Sequence, residues 1–295
     1  MEFLNQAISE HQIYEWEILL DDWIFLAMSA FLLFELVRLA VDKALTWDVM
    51  GDTVTNFVTL FAFIGIAFVL LGAFYVGTYY FIYEYYRLMT IPITPWSVAL
   101  CVVLADLAYY WEHRFTHRVG VAWATHTVHH SSPYFNISVA YRFGPLDGFF
   151  PVFFHVPLVL AGFNPILVLF SEAVVQLYQT ALHTEVIGKL PRPVEAVMNT
   201  PSHHRVHHGS NPRYLDKNYG GIFIVWDRLF GTFEEEKEPV KYGITNPLGT
   251  VNPFVVFFHG YARLARQVAS GRSARARLGY LLRGPEWASE PDPAK

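Results

Sequence analysis

The chain has 295 residues, of which 53% are hydrophobic, 17% aromatic and 16% charged, with a mean hydropathy of +0.27. Soluble domains carry roughly 25% charge, and disordered chains combine low hydrophobicity with high charge, so the composition argues against an ordinary soluble globule and rules out a disordered chain. The single cysteine, Cys101, excludes a disulfide framework, a zinc site built on several cysteines and a four-cysteine iron–sulfur cluster, while a net charge of −5 argues against a nucleic-acid partner.

A bilayer core requires about 20 apolar residues per helix. Trp23–Val41 meets that length, with Glu35 and Arg38 near one end. Val54–Ile82 is a second apolar run of 29 residues without a charge, and Gly65, Gly72 and Gly77 suit close helix packing. Trp96–Tyr110 is a third and contains one carboxylate, Asp106. Phe149–Gly162 and Pro165–Leu182 form a fourth region, split by Gly162-Phe-Asn-Pro165, and are read as a hairpin that enters and returns on one side. Residues 183–250 are rich in Gly, Pro, Asn and charge, which predicts loops and short helices of a polar cap. Val255–Val268 carries Arg263 and Arg266 among apolar residues; it reads as an interfacial helix or as a surface helix of the cap. The tail from Glu286 is expected to fray. The expected fold is therefore all-α: a polytopic membrane helical bundle of about four transmembrane regions, one a broken hairpin, with a histidine-rich helical cap. Residues 1–95 form the N-terminal membrane helices, 96–250 the catalytic region, and 251–295 a C-terminal interfacial helix and tail.

Charge asymmetry sets the expected orientation. The first 22 residues hold six acids (Glu2, Glu10, Glu15, Glu17, Asp21, Asp22) and no Lys or Arg, and placing them outside puts nearly all other basic residues, and every histidine block, on the cytosolic face. The protein is expected in a bacterial inner membrane, or in the endoplasmic reticulum membrane if the source is eukaryotic.

Most of the thirteen histidines fall in three blocks: His113-Arg-Phe-Thr-His117, His126-Thr-Val-His129-His130 and His203-His204-Arg-Val-His207-His208. Residues three and four apart share a helix face. His113 and His117 therefore point the same way, and His126, His129 and His130 form one face, as do His204, His207 and His208. The hairpin returns the chain to the same boundary at His183. Nine or ten imidazoles exceed one tetrahedral site, and two metals with four or five nitrogen ligands each use up the set. Imidazole suits iron, copper, zinc and nickel alike. A two-metal site facing lipid points to attack on an unactivated C–H bond, which needs a metal and O2. His155, His259 and His11 read instead as hydrogen-bonded core residues.

These blocks, their order and their membrane setting resemble the fatty acid hydroxylase/sterol desaturase superfamily. The resemblance runs from about Asp106 to Phe233, through Asp106-Leu-Ala-Tyr-Tyr-Trp-Glu-His-Arg, His129-His130-Ser-Ser, Asn199-Thr-Pro-Ser-His-His-Arg-Val-His-His, Asp216-Lys-Asn-Tyr-Gly-Gly and Trp226-Asp-Arg-Leu-Phe-Gly-Thr-Phe. It implies a non-haem di-iron centre (two Fe, with O2 as co-substrate) ligated by His113, His117, His126, His129, His130, His183, His204, His207 and His208. His203, beside the box, is a ligand, an outer donor or a substrate contact. One branch of the family has an H-x3-H pair near His183; here the partner position is Gln179. The implied reaction hydroxylates or desaturates a membrane lipid (sterol-like, fatty acyl or ether lipid). The two electrons come from outside: a ferredoxin, a cytochrome b5-like protein or a reductase, or a reduced pterin.

Asp106 lies seven residues before His113 on the same helix face, and a carboxylate in a membrane helix is costly unless used, so Asp106 is expected to orient a ligand or hold water. Glu112 and Glu185 sit near ligands in sequence and read equally well as interfacial charges. Asn218, a catalytic candidate, and Asp227 belong to the family motifs, with a turn or cap role as the alternative. Two other classes compete: a membrane zinc or nickel transporter, which needs polar groups along its interior, and a zinc-dependent lipid hydrolase, which needs about three ligands and a base.

Overall fold

Four helices begin by one local rule, a polar cap followed by proline: Thr94-Pro95, Asn164-Pro165, Thr200-Pro201 and Asn252-Pro253. In each, the cap side chain accepts a backbone N–H of the first turn, and proline occupies the first helical position, where no N–H is required. The structure, a computed structural model, describes residues 6–287; among them it is helical throughout, with two isolated β-bridges and no strand. Glu2 of the N-terminal acidic run and residues 288–295 lie outside the described residues.

Helix α1 spans Glu10–Val41. Helix α2 (Trp47–Ile66) passes through one π-helical stretch, Ala67–Leu71, into α3 (Gly72–Tyr86), so the second apolar run is one interrupted helix longer at both ends than Val54–Ile82. Two helices, Glu10–Val41 and Trp47–Val69, are long and apolar enough to cross a membrane, and their apolar windows are only 11% and 28% buried inside the molecule. Trp23 (66% exposed), Phe61 (69%) and Phe68 (86%) point outward. Such a surface suits lipid and not water.

Helix α4 (Pro95–Arg118) runs past the expected end at Tyr110 and carries the first histidine pair on its last turns. Helices α6 (Pro151–Ala161) and α7 (Pro165–Thr180) turn at Gly162, whose φ of +112° requires glycine. At 1.5 Å per residue they are about 17 and 24 Å long, short of the bilayer core, as a returning hairpin must be. The hairpin forms the core: Cys101 and Ala105 of α4 meet Val159 of α6 and Leu167, Val168 and Val175 of α7, while α1 packs on α7 and α3 on α6.

The cap comprises α5 (Gly120–His126), α8 (Arg192–Val197), α9 (Pro201–His207), α10 (Val225–Phe230), α11 (Pro253–Ser270) and α12 (Ala274–Leu282). Helix α11 packs on α5 and α2, while Phe254, Val255 and Phe258 stay exposed on its outer face. The chain does not fray at Glu286: Trp287 packs edge-on to Tyr280, ring centroids 5.0 Å apart, and Glu286 pairs with Arg118.

Asp106 departs from its expected role. It bonds no histidine; its carboxylate accepts from Ile222 N–H (2.5 Å), Phe223 N–H (3.0 Å) and Trp226 Nε1–H (2.7 Å), fastening residues 219–226 to α4. Asp227 holds the same loop by accepting from Tyr219 and Gly220 N–H, both at 2.7 Å. The loop reaches Asp106 because position 221 lacks a side chain: a Cβ on Gly221 would lie 2.5 Å from Asp106 Oδ1, 2.6 Å from Val175 Cγ1 and 3.1 Å from Tyr109 Cδ1. Gly221→Ala is expected to lower the thermal midpoint by weakening these bonds, with a cost on the order of 1–3 kcal/mol in a denaturant titration; an unchanged midpoint would show that the loop is not held this way.

Candidate metal centre

Nine of the ten sequence-predicted histidine ligands converge. One ligand atom each of His113, His117, His126, His130 and His207 lies within 4.8 Å of the others, and so do those of His129, His183, His204 and His208. The grouping does not follow the boxes as single faces. The i,i+4 pairs 113/117 and 126/130 stay together in the five-membered group and 204/208 in the four-membered one, while His129 and His207, each just before the end of its box, cross to the other group. Local structure explains the first crossing: α5 ends at His126, and a 3-10 turn over His129–Ser131 breaks the helical face.

The outer nitrogen of four rings is fixed by a backbone carbonyl. His113 Nδ1 donates to Tyr219 O (2.9 Å), His129 Nδ1 to Arg142 O (3.3 Å), His183 Nδ1 to Gln179 O (2.9 Å) and His207 Nδ1 to Lys217 O (3.0 Å). A carbonyl oxygen only accepts, so these rings carry the proton on Nδ1 and turn a lone pair on Nε2 inward. His183 Nε2 thus faces His129 Nε2 at 3.3 Å, lone pair to lone pair, and stands 3.0 Å from His204 Nε2. In the other group, Nε2 of His117, His130 and His207 is buried with no partner. Protons do not resolve this: burial holds His126, His130, His183, His204, His207 and His208 well below the ordinary imidazole range and brings His129 down to about 4. Converging neutral imidazoles with unspent lone pairs are the donor set a soft or borderline cation requires, so these residues fit a metal in each group.

His203 is the exception. It starts α9, joins neither group, and sets Nε2 2.9 Å from Glu195 Oε2 and its ring against Phe233. Asn218 is likewise structural: it has a φ of +56°, donates to His203 O and Glu234 O, and accepts from Glu234 N–H. Gln179 supplies its backbone carbonyl to His183, and its side chain bonds Val175 O. Asp216 and Arg142 escaped the sequence reading. Asp216 lies 3.6 Å from His117 Nδ1 and pairs with Arg118. Arg142 is fully buried; it donates to Asp52, Asn56, Val128 O and Ser131 while its own carbonyl holds His129. Only the quoted Asp216-Lys-Asn-Tyr-Gly-Gly motif hinted at the first, and no local signal marks the second. A cavity of about 310 Å³ reaches both groups, bordered by His113 and His126 of one and His129, His183 and His204 of the other.

The fold and this site define a helical membrane protein built around two adjoining histidine clusters able to bind metal. A sequence model of the family described as fatty acid hydroxylase matches residues 98–232, so that segment is a fatty acid hydroxylase domain. It is 40% identical to alkylglycerol monooxygenase of Danio rerio over 212 residues, which is 72% of this chain and 47% of that protein. It is 30% identical to an ornithine lipid hydroxylase of Rhizobium tropici over 152 residues (50% and 46%), and 26% identical to human lathosterol oxidase over 152 residues (50% and 49%). The chain thus spans about half the length of the curated relatives it matches. No solved structure matches it.

Two outcomes test this geometry. His204→Ala/His208→Ala should halve the bound metal, measured by elemental analysis per chain, because the five-membered group keeps its full set; complete loss, or none, would contradict two separable positions. In the metal-free protein, lowering the pH from 6.5 toward 4 should steadily lower the thermal midpoint. Across that window the unfolded chain takes up protons that buried neutral rings such as His129 refuse, costing about 1.4 kcal/mol per pH unit for each such ring. A midpoint flat in pH would mean that the rings are protonated when folded.

Proposed function

We propose that this protein is a membrane-bound di-iron oxygenase that uses O2 and two external electrons to hydroxylate or desaturate a lipid. One iron is held by His113, His117, His126, His130 and His207, the other by His129, His183, His204 and His208. The observation that carries the reading is the buried confrontation of His183 and His129 lone pairs, together with the unpartnered Nε2 atoms of the first group. The relatives act on lipids, by their names an alkylglycerol, an ornithine lipid and lathosterol, which supports a lipid substrate here.

Bound iron would supply O2 reduction and the oxidising power needed to break an unactivated C–H bond. The protein's own residues do the rest. Carbonyls of Lys217, Tyr219, Gln179 and Arg142 fix ring orientation, so the centre is organised before anything binds. The cavity lies beside both groups, and a lipid chain seated in it would displace water from the rings while it is placed. Small differences in that placement decide between an alcohol and an alkene. We read residues 1–95 as the lipid-facing anchor, 96–250 as the catalytic region and 251–295 as an interfacial closing segment. The histidines are assigned to the cytosolic face, where the basic residues would attract an acidic electron donor such as a ferredoxin, a cytochrome b5-like protein or a reductase; a reduced pterin is the alternative.

Purified in detergent, the chain should hold about two iron ions and consume O2 only when substrate lipid and a reductant are present. Comparing the lipids of a deletion strain with its parent, with and without oxygen, identifies the product. A preparation that holds only zinc and converts lipid without oxygen would refute the oxygenase.

A further inference from the structure

The cavity that meets the histidines also borders on charge that the metal positions do not use. Glu112 of α4 lines it, only 7% exposed, and its Oε2 has no hydrogen-bond partner. Its polar neighbour His155 stands at ion-pair distance, Nδ1 3.9 Å from Glu112 Oε2, but makes no hydrogen bond to it: Nδ1 lies 3.0 Å from Pro151 O and Nε2 3.3 Å from Ala105 O. Glu172 of α7 lies 4.0 Å from the same nitrogen, and both its oxygens accept from the Tyr75 and Tyr79 hydroxyls. Asp147, also on the cavity wall, accepts from Gly144 N–H. Among these three carboxylates, Glu112 alone has a buried oxygen without a hydrogen-bond partner, and no Lys or Arg lines the cavity.

A buried acceptor without a donor costs about 1–3 kcal/mol, more when it is charged. A group in this part of the cavity that can hydrogen-bond to Glu112 removes that cost. A cation is the weaker match. Two divalent ions held by neutral imidazoles would leave their charge unbalanced at the same cavity, and a second positive group beside them is repelled while the nearby acids already offset the first. A neutral hydroxyl fills the acceptor without adding charge. We propose that Glu112 anchors the polar group of the substrate, and that the cavity selects lipids bearing a free hydroxyl over the same hydrocarbon with that hydroxyl capped. The selection rests on the oxygenase reading for its purpose, but its geometry is independent of which metal is bound.

The test is binding, not turnover. The full chain, in detergent and loaded with Zn(II), is titrated calorimetrically with a medium-chain primary alcohol, its methyl ether and the matching primary amine. The alcohol should bind roughly ten-fold or more tighter than the ether, the range of a hydrogen bond to a carboxylate. Glu112→Leu should weaken the alcohol to the affinity of the ether while leaving the ether within about three-fold. Glu112→Gln, which keeps the shape and one acceptor, should fall between. Equal affinities for alcohol and ether in the native chain would overturn the proposal and indicate that Glu112 keeps water. Equal losses for both ligands in Glu112→Leu would reduce the residue to a packing role, and an amine tighter than the alcohol would mean that the site selects cations; either result overturns the hydroxyl anchor. Iron content and O2 consumption are measured separately, so alcohol selectivity in a chain without oxygenase activity would retain the anchor and remove only the oxygenase reading.

Discussion

Two imidazole nitrogens, His129 Nε2 and His183 Nε2, face each other at 3.3 Å, and neither ring has a proton of its own to place between them. Each ring has committed its proton outward to a backbone carbonyl, and burial prevents a second from binding at neutral pH. Two lone pairs at that distance repel, and in a low-dielectric interior the repulsion is poorly screened. Five rings of the neighbouring group repeat the condition with three unpartnered nitrogens. A metal-free core of this kind carries several unsatisfied acceptors, each costing about 1–3 kcal/mol, and a cation removes the whole deficit at once. Metal binding at these rings would therefore be linked to folding, because free energy gained there would also hold the cap together.

The deficit persists only because the surrounding structure over-determines the rings, and it does so through carboxylates that never touch them. Asp106 and Asp227 grip the loop whose carbonyls at 217 and 219 orient His207 and His113. Two acids from the membrane helices hold the other group. Glu35 of α1 accepts from Ile137 N–H and the Thr184 hydroxyl, beside His183. Asp52 of α2 pairs with Arg142, whose carbonyl fixes His129. His129 and His183 of the four-membered group are thus held from the lipid-facing helices, and His113 and His207 of the five-membered group through the cap loop. A buried ion pair such as Asp52–Arg142 adds little net stability over apolar packing. What it supplies here is register: Arg142 reaches Val128 O and Ser131 on both sides of the histidine turn as well as α2.

This division explains what the sequence made legible. The i,i+4 pairs 113/117, 126/130 and 204/208 are local geometry, written in spacing, and the cap–Pro helix starts are equally local. The apolar runs and the Gly162–Pro165 break are composition, and they set the bundle. The exchange of His129 and His207 between groups is not written in the spacing. It follows from where α5 stops and how α9 meets it, and a face drawn on an ideal helix cannot contain that information. The same limit applies to Asp106. Spacing placed it on the face of His113, and the cost of a carboxylate in a membrane helix correctly marked it as used; but its partners, 116 to 120 residues away, are backbone amides and an indole. Arg142, buried between α2 and the histidine turn, has no spacing signature at all.

The position of the cavity joins these constraints to the membrane. Its walls come from α2, α4, α6 and α7, the elements that also form the bundle, and its rim from histidines of both groups. Phe63 of α2 and Phe143 thus line the same cavity as the histidines of both groups. The short hairpin is what permits this arrangement. Helices of about 17 and 24 Å cannot traverse the bilayer, so α6 and α7 turn at Gly162 and bring His183 back to the level of α4's last turn. A longer hairpin would emerge on the far side and leave the four-membered group without its third element. Reach, burial and ligand count thus follow from one length, fixed by a glycine in a left-handed turn and the proline that restarts the helix three residues later.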